Sequence, residues 1–155
     1  MVKLLFICAG NICRSPTAEG IFRHRVRAAG LEQQIHSDSA GLHGFHRGEP
    51  PDRRAIAAAQ KHGIEIGDLR ARPVTAGDLD RFDIIAVMEQ AHRRQLLALR
   101  SAPPRAEISL LLGEREIPDP YYDDHLFLPV YRLIEQGVET LFDRVQKSLP
   151  SIAQT

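Results

Sequence analysis

The sequence predicts an α/β protein with a parallel sheet, in one domain spanning residues 1–155. Two observations carry this. Val2–Ile7 and Phe82–Met88 are nearly continuous apolar runs, as expected of strands buried on both faces. Between and after them, apolar residues recur at helical spacing. Crossovers in such a sheet are right-handed, and ligands bind at the carboxyl ends of the strands.

The elements follow in order. After the first strand a short polar loop leads to Arg14-Ser15-Pro16, where Ser15 reads as a helix cap with Pro16 in the first turn. Ala18, Ile21, Phe22, Val26 and Ala29 mark that helix, and Gly30 ends it. Gln34–Ala40 reads as a short strand, and Gly41–Pro51, rich in Gly, Pro and His, as a loop. Asp52 opens a second helix through Ala55, Ile56 and Ala59, closed by Gly63. Residues 89–99 read as helical after the Phe82–Met88 strand. Pro103-Pro104 breaks the chain before a last strand at Ile108–Leu111. Glu114–Asp124 is a polar loop, and Phe127, Val130, Ile134, Val138, Leu141 and Val145 mark a long amphipathic helix.

Composition excludes several function classes. Lys plus Arg number 20 and Asp plus Glu number 20, so the basic excess expected of a general nucleic-acid binder is missing. The two cysteines, Cys8 and Cys13, lie in one loop rather than spread as in a disulfide-built secreted domain. No signal peptide or apolar run of membrane-spanning length is visible, and the expectation is a cytoplasmic protein. Histidines 24, 36, 43, 46, 92 and 125 show no metal-ligand spacing with the cysteines, so no metal site is expected. Arg23, Arg25 and Arg27 read as a solvated helix face, as do Arg93 and Arg94.

The most informative stretch is Cys8-Ala9-Gly10-Asn11-Ile12-Cys13-Arg14-Ser15-Pro16. A strand delivers a thiol, a loop turns, and a helix begins. Backbone N–H groups around such a loop can converge on an anion, and the helix N-terminus adds positive potential. Arg14 offers a planar fork that matches a tetrahedral oxyanion, and the same field favours the thiolate of Cys8. A second element is Ile117-Pro118-Asp119-Pro120-Tyr121-Tyr122. Read alone it is a turn. Beside a thiolate that attacks a phosphate ester, Asp119 becomes a candidate acid for the departing oxygen.

Together these motifs resemble the low-molecular-weight protein tyrosine phosphatases. The resemblance extends over nearly the whole chain, through Ala18-Glu19, Ser39-Ala40-Gly41, Phe45-His46, Gly48, Asp52, Arg54-Ala55, His62-Gly63-Ile64, Ala71-Arg72, Phe82-Asp83 and Asp119-Pro120-Tyr121. It implies a four-stranded parallel sheet flanked by helices, a phosphate-binding loop after the first strand, no cofactor and no metal. It implies Cys8 as nucleophile, Arg14 as phosphate clamp and Asp119 as general acid, then base. The amides of Ala9, Gly10, Asn11, Ile12, Cys13 and Ser15 would cradle the phosphate, with Gly10 allowing close approach. Ser15 would also hydrogen-bond the Cys8 sulfur. Asn11 would take a strained backbone conformation and bond to neighbours, with Ser39 and His62 at matching network positions. For His62 a plain helix-terminal histidine remains an equal reading. Phe45 and Tyr121, with Tyr122 adjacent, would wall a phosphotyrosine slot. The family often has Trp or Tyr at the Phe45 position. Leu42 and Glu89 also depart from common residues, and neither is expected to touch the chemistry.

Cys13 has two open readings, a small buried side chain or a second thiol that forms a protective disulfide with Cys8 under peroxide. The resemblance implies a phosphotyrosine-containing protein as partner, a tyrosine kinase among the candidates; the residues do not fix an oligomeric state, and a monomer is the default expectation. Three rivals remain: a thiol-linked arsenate reductase, disfavoured because no cysteine follows Cys13; a protein-arginine phosphatase, disfavoured because such enzymes carry Thr where Ile12 stands; and a non-catalytic phosphate-binding module.

Overall fold

The computed structural model describes residues 1–150. Four strands, β1 (Val2–Cys8), β2 (Ile35–Gly41), β3 (Ile84–Val87) and β4 (Glu107–Leu110), form one parallel sheet in the order β2-β1-β3-β4. The helices are α1 (Arg14–Ala28), α2 (Arg53–Gln60), α3 (Asp78–Arg81), α4 (Gln90–Leu97) and α5 (Phe127–Ser148), with a 3₁₀ turn at Asp124–Leu126 before α5. The α/β class, the parallel sheet and the flanking helices all match the sequence expectation, with strand ends shifted by one or two residues.

Strand β1 explains the layering. Its side chains alternate, so Leu4, Phe6 and Cys8 enter a core formed with α1, α2 and α5, while Leu5 and Ile7 enter a second core with Leu79 of α3 and Leu96 of α4. A strand covered on both faces must be apolar at nearly every position, and β1 is. Helix α5 buries Val130, Tyr131, Ile134, Val138, Leu141, Phe142 and Val145 along one stripe. Asp52 caps α2, its carboxylate accepting from the Arg54 amide at 2.8 Å. No helix among the described residues is long and apolar enough to cross a membrane.

The first two connections place the site. β1 lies between β2 and β3, so the chain leaves its carboxyl end in one direction and later returns on the other side. That switch point is where an open parallel sheet leaves a crevice, and Cys8 is the residue that ends β1 there.

Candidate active site

Loop 9–13 turns tightly between β1 and α1. Asn11 has φ 61°, the single described non-glycine residue in the left-handed region, and Asn tolerates it better than most residues. Gly41, paired with Cys8 across the sheet, lets the loop pass close. A Cβ there would sit 2.9 Å from the Gly10 carbonyl carbon and 3.0 Å from the Ala9 oxygen. Among the described residues, no backbone N–H from Gly10 to Arg14 donates to a protein acceptor. A run of such donors at a helix start is an anion receptor.

The Cys8 sulfur is buried at the base of this loop. The Ser15 hydroxyl lies 3.0 Å from Sγ, and the Ser15 amide donates to it at 3.4 Å. Asn11 Nδ2 donates to Ser15 Oγ at 2.7 Å and to Ser39 Oγ at 3.0 Å. Ser39 in turn donates to Glu19 Oε1 at 2.7 Å. Because Asn11 supplies a proton to Ser15, the hydroxyl hydrogen is left to point at sulfur. Asn11 Oδ1 accepts from the Arg72 amide at 3.0 Å, which ties the loop to the segment after α2. The Glu19 carboxyl is pushed up to about 7, first by burial and against the Ser39 hydrogen bond.

Arg14 is 2% exposed and oriented from behind. Its Nη1 donates to Glu89 Oε2 at 2.6 Å and to the Ile117 carbonyl at 2.7 Å, which uses both of its hydrogens. Nε is buried without a partner, and Nη2 makes no protein hydrogen bond, lying 3.7 Å from Asp119 Oδ2. The Nε–Nη2 edge is the one that grips an oxyanion bidentately. Asp119 is fixed through its other oxygen, which accepts from the Tyr121 amide at 3.1 Å.

These groups share one cleft of about 310 Å³, lined by Cys8, Ala9, Gly10, Ile12, Cys13, Arg14, His43, Phe45, His46, Asp119, Tyr121 and Tyr122. Phe45 stacks on His43 with ring centroids 4.2 Å apart. Tyr121 lies over the Arg54 guanidinium, 5.4 Å from its carbon.

The family described as "Low molecular weight phosphotyrosine protein phosphatase" matches residues 3–151. The chain belongs to that family. The low molecular weight protein-tyrosine-phosphatase YfkJ of Bacillus subtilis is 39% identical over 153 residues, 95% of this chain and 97% of that protein. Its crystal structure superposes with a TM-score of 0.90 at 38% identity, covering 97% of this chain and 98% of that one. The low molecular weight phosphotyrosine protein phosphatase of Homo sapiens is 36% identical over 138 residues, 84% of this chain and 87% of that protein. The crystal structure of the Drosophila arginine phosphatase has a TM-score of 0.84 at 29% identity, covering 96% of this chain and all of that one, at 100%.

Against this family frame, three expectations need correction. Ser15 does not cap α1: the cap position is Cys13, and the Ser15 hydroxyl is engaged with Cys8 and Asn11. His62 is not in the Asn11–Ser39 network. It sits just past α2, its Nδ1 3.1 Å from the Ala58 carbonyl oxygen and its ring stacked on Tyr131 at 4.2 Å. Glu89, expected to be remote, holds Arg14. Gly10 faces the histidine rim as well as the loop, since a Cβ there would lie 3.1 Å from His46 Cδ2 and 3.2 Å from His43 Cε1.

Sequence alone assigns no role to Glu19, Arg72, His43 and His46. Glu19 carried a usable signal: it sits on the same face of α1 as Phe22 and Val26, and an acid on a buried stripe needs a partner. Arg72 carried none, because it engages Asn11 through its backbone amide. Cys13 is buried and unpaired, and burial followed by the nearby Asp52 raises its thiol well above the usual range. At neutral pH Cys13 is therefore held as the thiol and is a poor nucleophile.

Proposed function

We propose that this chain hydrolyses phosphotyrosine monoesters of proteins through a phosphocysteine intermediate. The observation that carries the reading is the convergence in one cleft of Cys8, the partnerless Nε–Nη2 edge of Arg14 and the Asp119 carboxyl. In the first step Cys8 thiolate attacks phosphorus and the bond to the phenolic oxygen breaks. Asp119 gives that oxygen a proton. In the second step Asp119, now a carboxylate, takes a proton from water. The water oxygen attacks phosphorus, the S–P bond breaks, and inorganic phosphate leaves with the thiolate restored. Arg14 and the free amides from Gly10 to Arg14 hold the equatorial oxygens throughout, while the Ser15 amide stays on the Cys8 sulfur, so most of the acceleration comes from positioning and charge stabilisation. The Ser15 hydroxyl stabilises sulfur both as attacking and as leaving group. No step calls for a metal or an organic cofactor.

Phosphotyrosine is preferred over phosphoarginine because Ile12, Phe45 and Tyr121 line the cleft with apolar and aromatic surface suited to an aryl ring. The decisive experiment is turnover of phosphotyrosine and phosphoarginine peptides by the wild-type chain and Cys8→Ser. Cys8-dependent hydrolysis, faster on phosphotyrosine, is expected. Faster phosphoarginine hydrolysis would transfer the assignment, and arsenate reduction coupled to thioredoxin without phosphatase turnover would replace it.

Cys13 completes the reading as a resolving thiol. Peroxide converts the Cys8 thiolate to a sulfenic acid, and condensation with Cys13 releases water and forms a disulfide. Mass spectrometry after mild peroxide treatment tests this, and sulfinic Cys8 beside free Cys13 would end it. A reactive thiol suits the reducing cytoplasm, where the partner would be a phosphotyrosine-bearing protein such as an autophosphorylated kinase, met by a monomer.

A further inference from the structure

Behind the Arg14 guanidinium, on the side away from the cleft, is a chain of buried groups that the reaction itself does not use. Glu89 immediately precedes α4 and His92 lies in its first turn, so the two are stacked at i and i+3. His92 is buried, its Nε2 is 3.4 Å from Glu89 Oε2, and its Nδ1 has no partner. That same Glu89 oxygen accepts from Arg14 Nη1 at 2.6 Å.

We infer that His92 is a positioning residue for the phosphate clamp, holding the Glu89 carboxylate in the one rotamer that orients Arg14. The inference rests on the reading of Arg14 as the anion clamp. Glu89 ends in a flexible side chain one third exposed to solvent, and the Arg14 contact alone fixes only one of its oxygens from one side. The imidazole gives that oxygen a second neighbour, 3.4 Å away.

The groups facing His92 come from three elements: Arg14 from α1, Glu89 from its own turn, and Glu116 and Asp119 from the segment before the 3₁₀ turn. Burial, then the Arg14 charge, hold its pKa below the usual histidine value, against the three carboxylates. A neutral ring carrying its proton on Nε2 would turn that N–H toward Glu89, 3.4 Å away, without adding a second cation beside Arg14. Protonation would place an N–H on Nδ1, buried and without an acceptor.

The same corner supports the acid loop. The Ile117 amide donates to the Met88 carbonyl at 2.9 Å, and Glu116 accepts from the Gln90 amide at 2.7 Å. Ile117 then gives its own carbonyl to Arg14. The clamp and the stem of the Asp119 loop thus share a support that begins at Glu89 and His92.

A double-mutant cycle tests this in the full chain. Wild type, His92→Leu, Glu89→Gln and the double variant are compared in kcat and KM on an aryl phosphate, in inorganic phosphate affinity by calorimetry, and in thermal midpoint. His92→Leu is expected to weaken phosphate binding and lower kcat/KM about tenfold. In the Glu89→Gln background it should cost less than about twofold more, because the group it acts through is already lost. His92→Gln, whose amide nitrogen reaches the place of Nε2, should recover most of the loss, whereas His92→Asn, too short, should not. Those two variants decide the matter if His92→Leu does not fold. Additive losses in the cycle, or equal behaviour of the Gln and Asn variants, overturn the inference. If wild-type turnover proves independent of Cys8, the parent reading fails. Phosphate affinity across the cycle still decides the role of His92.

Discussion

At the floor of the cleft, Cys8, Asn11, Ser15 and Ser39 are buried and joined by hydrogen bonds of 2.7–3.4 Å that run back to Glu19, and buried Arg14 is held separately by Glu89 at 2.6 Å. At its rim, Phe45 is 84% exposed and Tyr122 90% exposed, and their rings pair with His43 and Tyr121. One cleft is therefore rigid where charge must be stabilised and loose where a substrate must be admitted. Preorganised donors stabilise a transition state because they do not have to move. An aromatic rim on loops gains contact area only when a substrate arrives. Substitutions at the floor should then act on kcat, and substitutions at the rim on KM and on substrate choice.

The largest test of that division is Cys8→Ser, which should abolish steady-state turnover while inorganic phosphate still binds. A variant that lost binding as well would mean that the sulfur organises the loop, and floor chemistry and floor architecture could not be separated. Next is Asp119→Ala. It should lower kcat by about 10²–10⁴ for leaving groups of high pKa and much less for good ones, since those need no proton. Equal slowing across a series of aryl phosphates would remove Asp119 from the acid role.

Asn11 tests rigidity directly. Asn11→Ala loses the bonds to Ser15, Ser39 and the Arg72 amide and leaves an alanine at φ 61°. We expect kcat to fall by about tenfold or more with a smaller change in KM. Asn11→Gly relieves the backbone and keeps the hydrogen-bond loss, so the difference between the two variants separates strain from bonding.

How much of this was legible in the sequence differs between the same two regions. Strand β1 and the loop after it could be read because a doubly covered strand leaves a continuous apolar signature, and because the thiol, the turn and the helix start are contiguous. The bracing of the floor could not. Glu19 meets Ser39 from 20 positions away, Arg72 meets Asn11 from 61, and Glu89 meets Arg14 from 75. No local pattern records such pairings. Ser15 misled for a related reason: a serine before a proline at a helix start is favoured as a cap, and here its hydroxyl is claimed by sulfur. Helix α3 went unread because four residues with one buried leucine carry no period. His62 lies in a stretch that resembles the family, yet its turn faces α5 and its ring is taken by Tyr131.

Glu19 links the floor to pH. Its folded pKa of about 7 lies above the ordinary glutamate value of 4.5, so between these values the folded chain binds more protons than the unfolded one. Stability should therefore fall as pH rises from about 5 to 7, by up to ~3 kcal/mol, and level off above. Urea midpoints across that range check it, with Glu19→Gln expected to remove this component of the slope. A slope unchanged in the variant would assign the pH dependence to other groups.

The smallest effect belongs to the rim. Phe45 is largely exposed and stacks on His43, so Phe45→Ala should leave the thermal midpoint and the hydrolysis of a small aryl phosphate nearly unchanged. On a phosphotyrosine peptide KM should rise by a few fold, about the worth of one partly buried aromatic contact. His43 adds a pH signature, since burial and then its neighbour His46 hold it below the usual histidine value. Near neutral pH it stacks on Phe45 as a neutral ring, and acid should alter that contact by charging His43. Peptide KM in wild type should then change with pH at the acid end in a way Phe45→Ala does not reproduce. If instead Phe45→Ala lowered kcat for the small substrate, the rim would be reaching into the chemistry, and the division between a fixed floor and an adaptable mouth would be wrong.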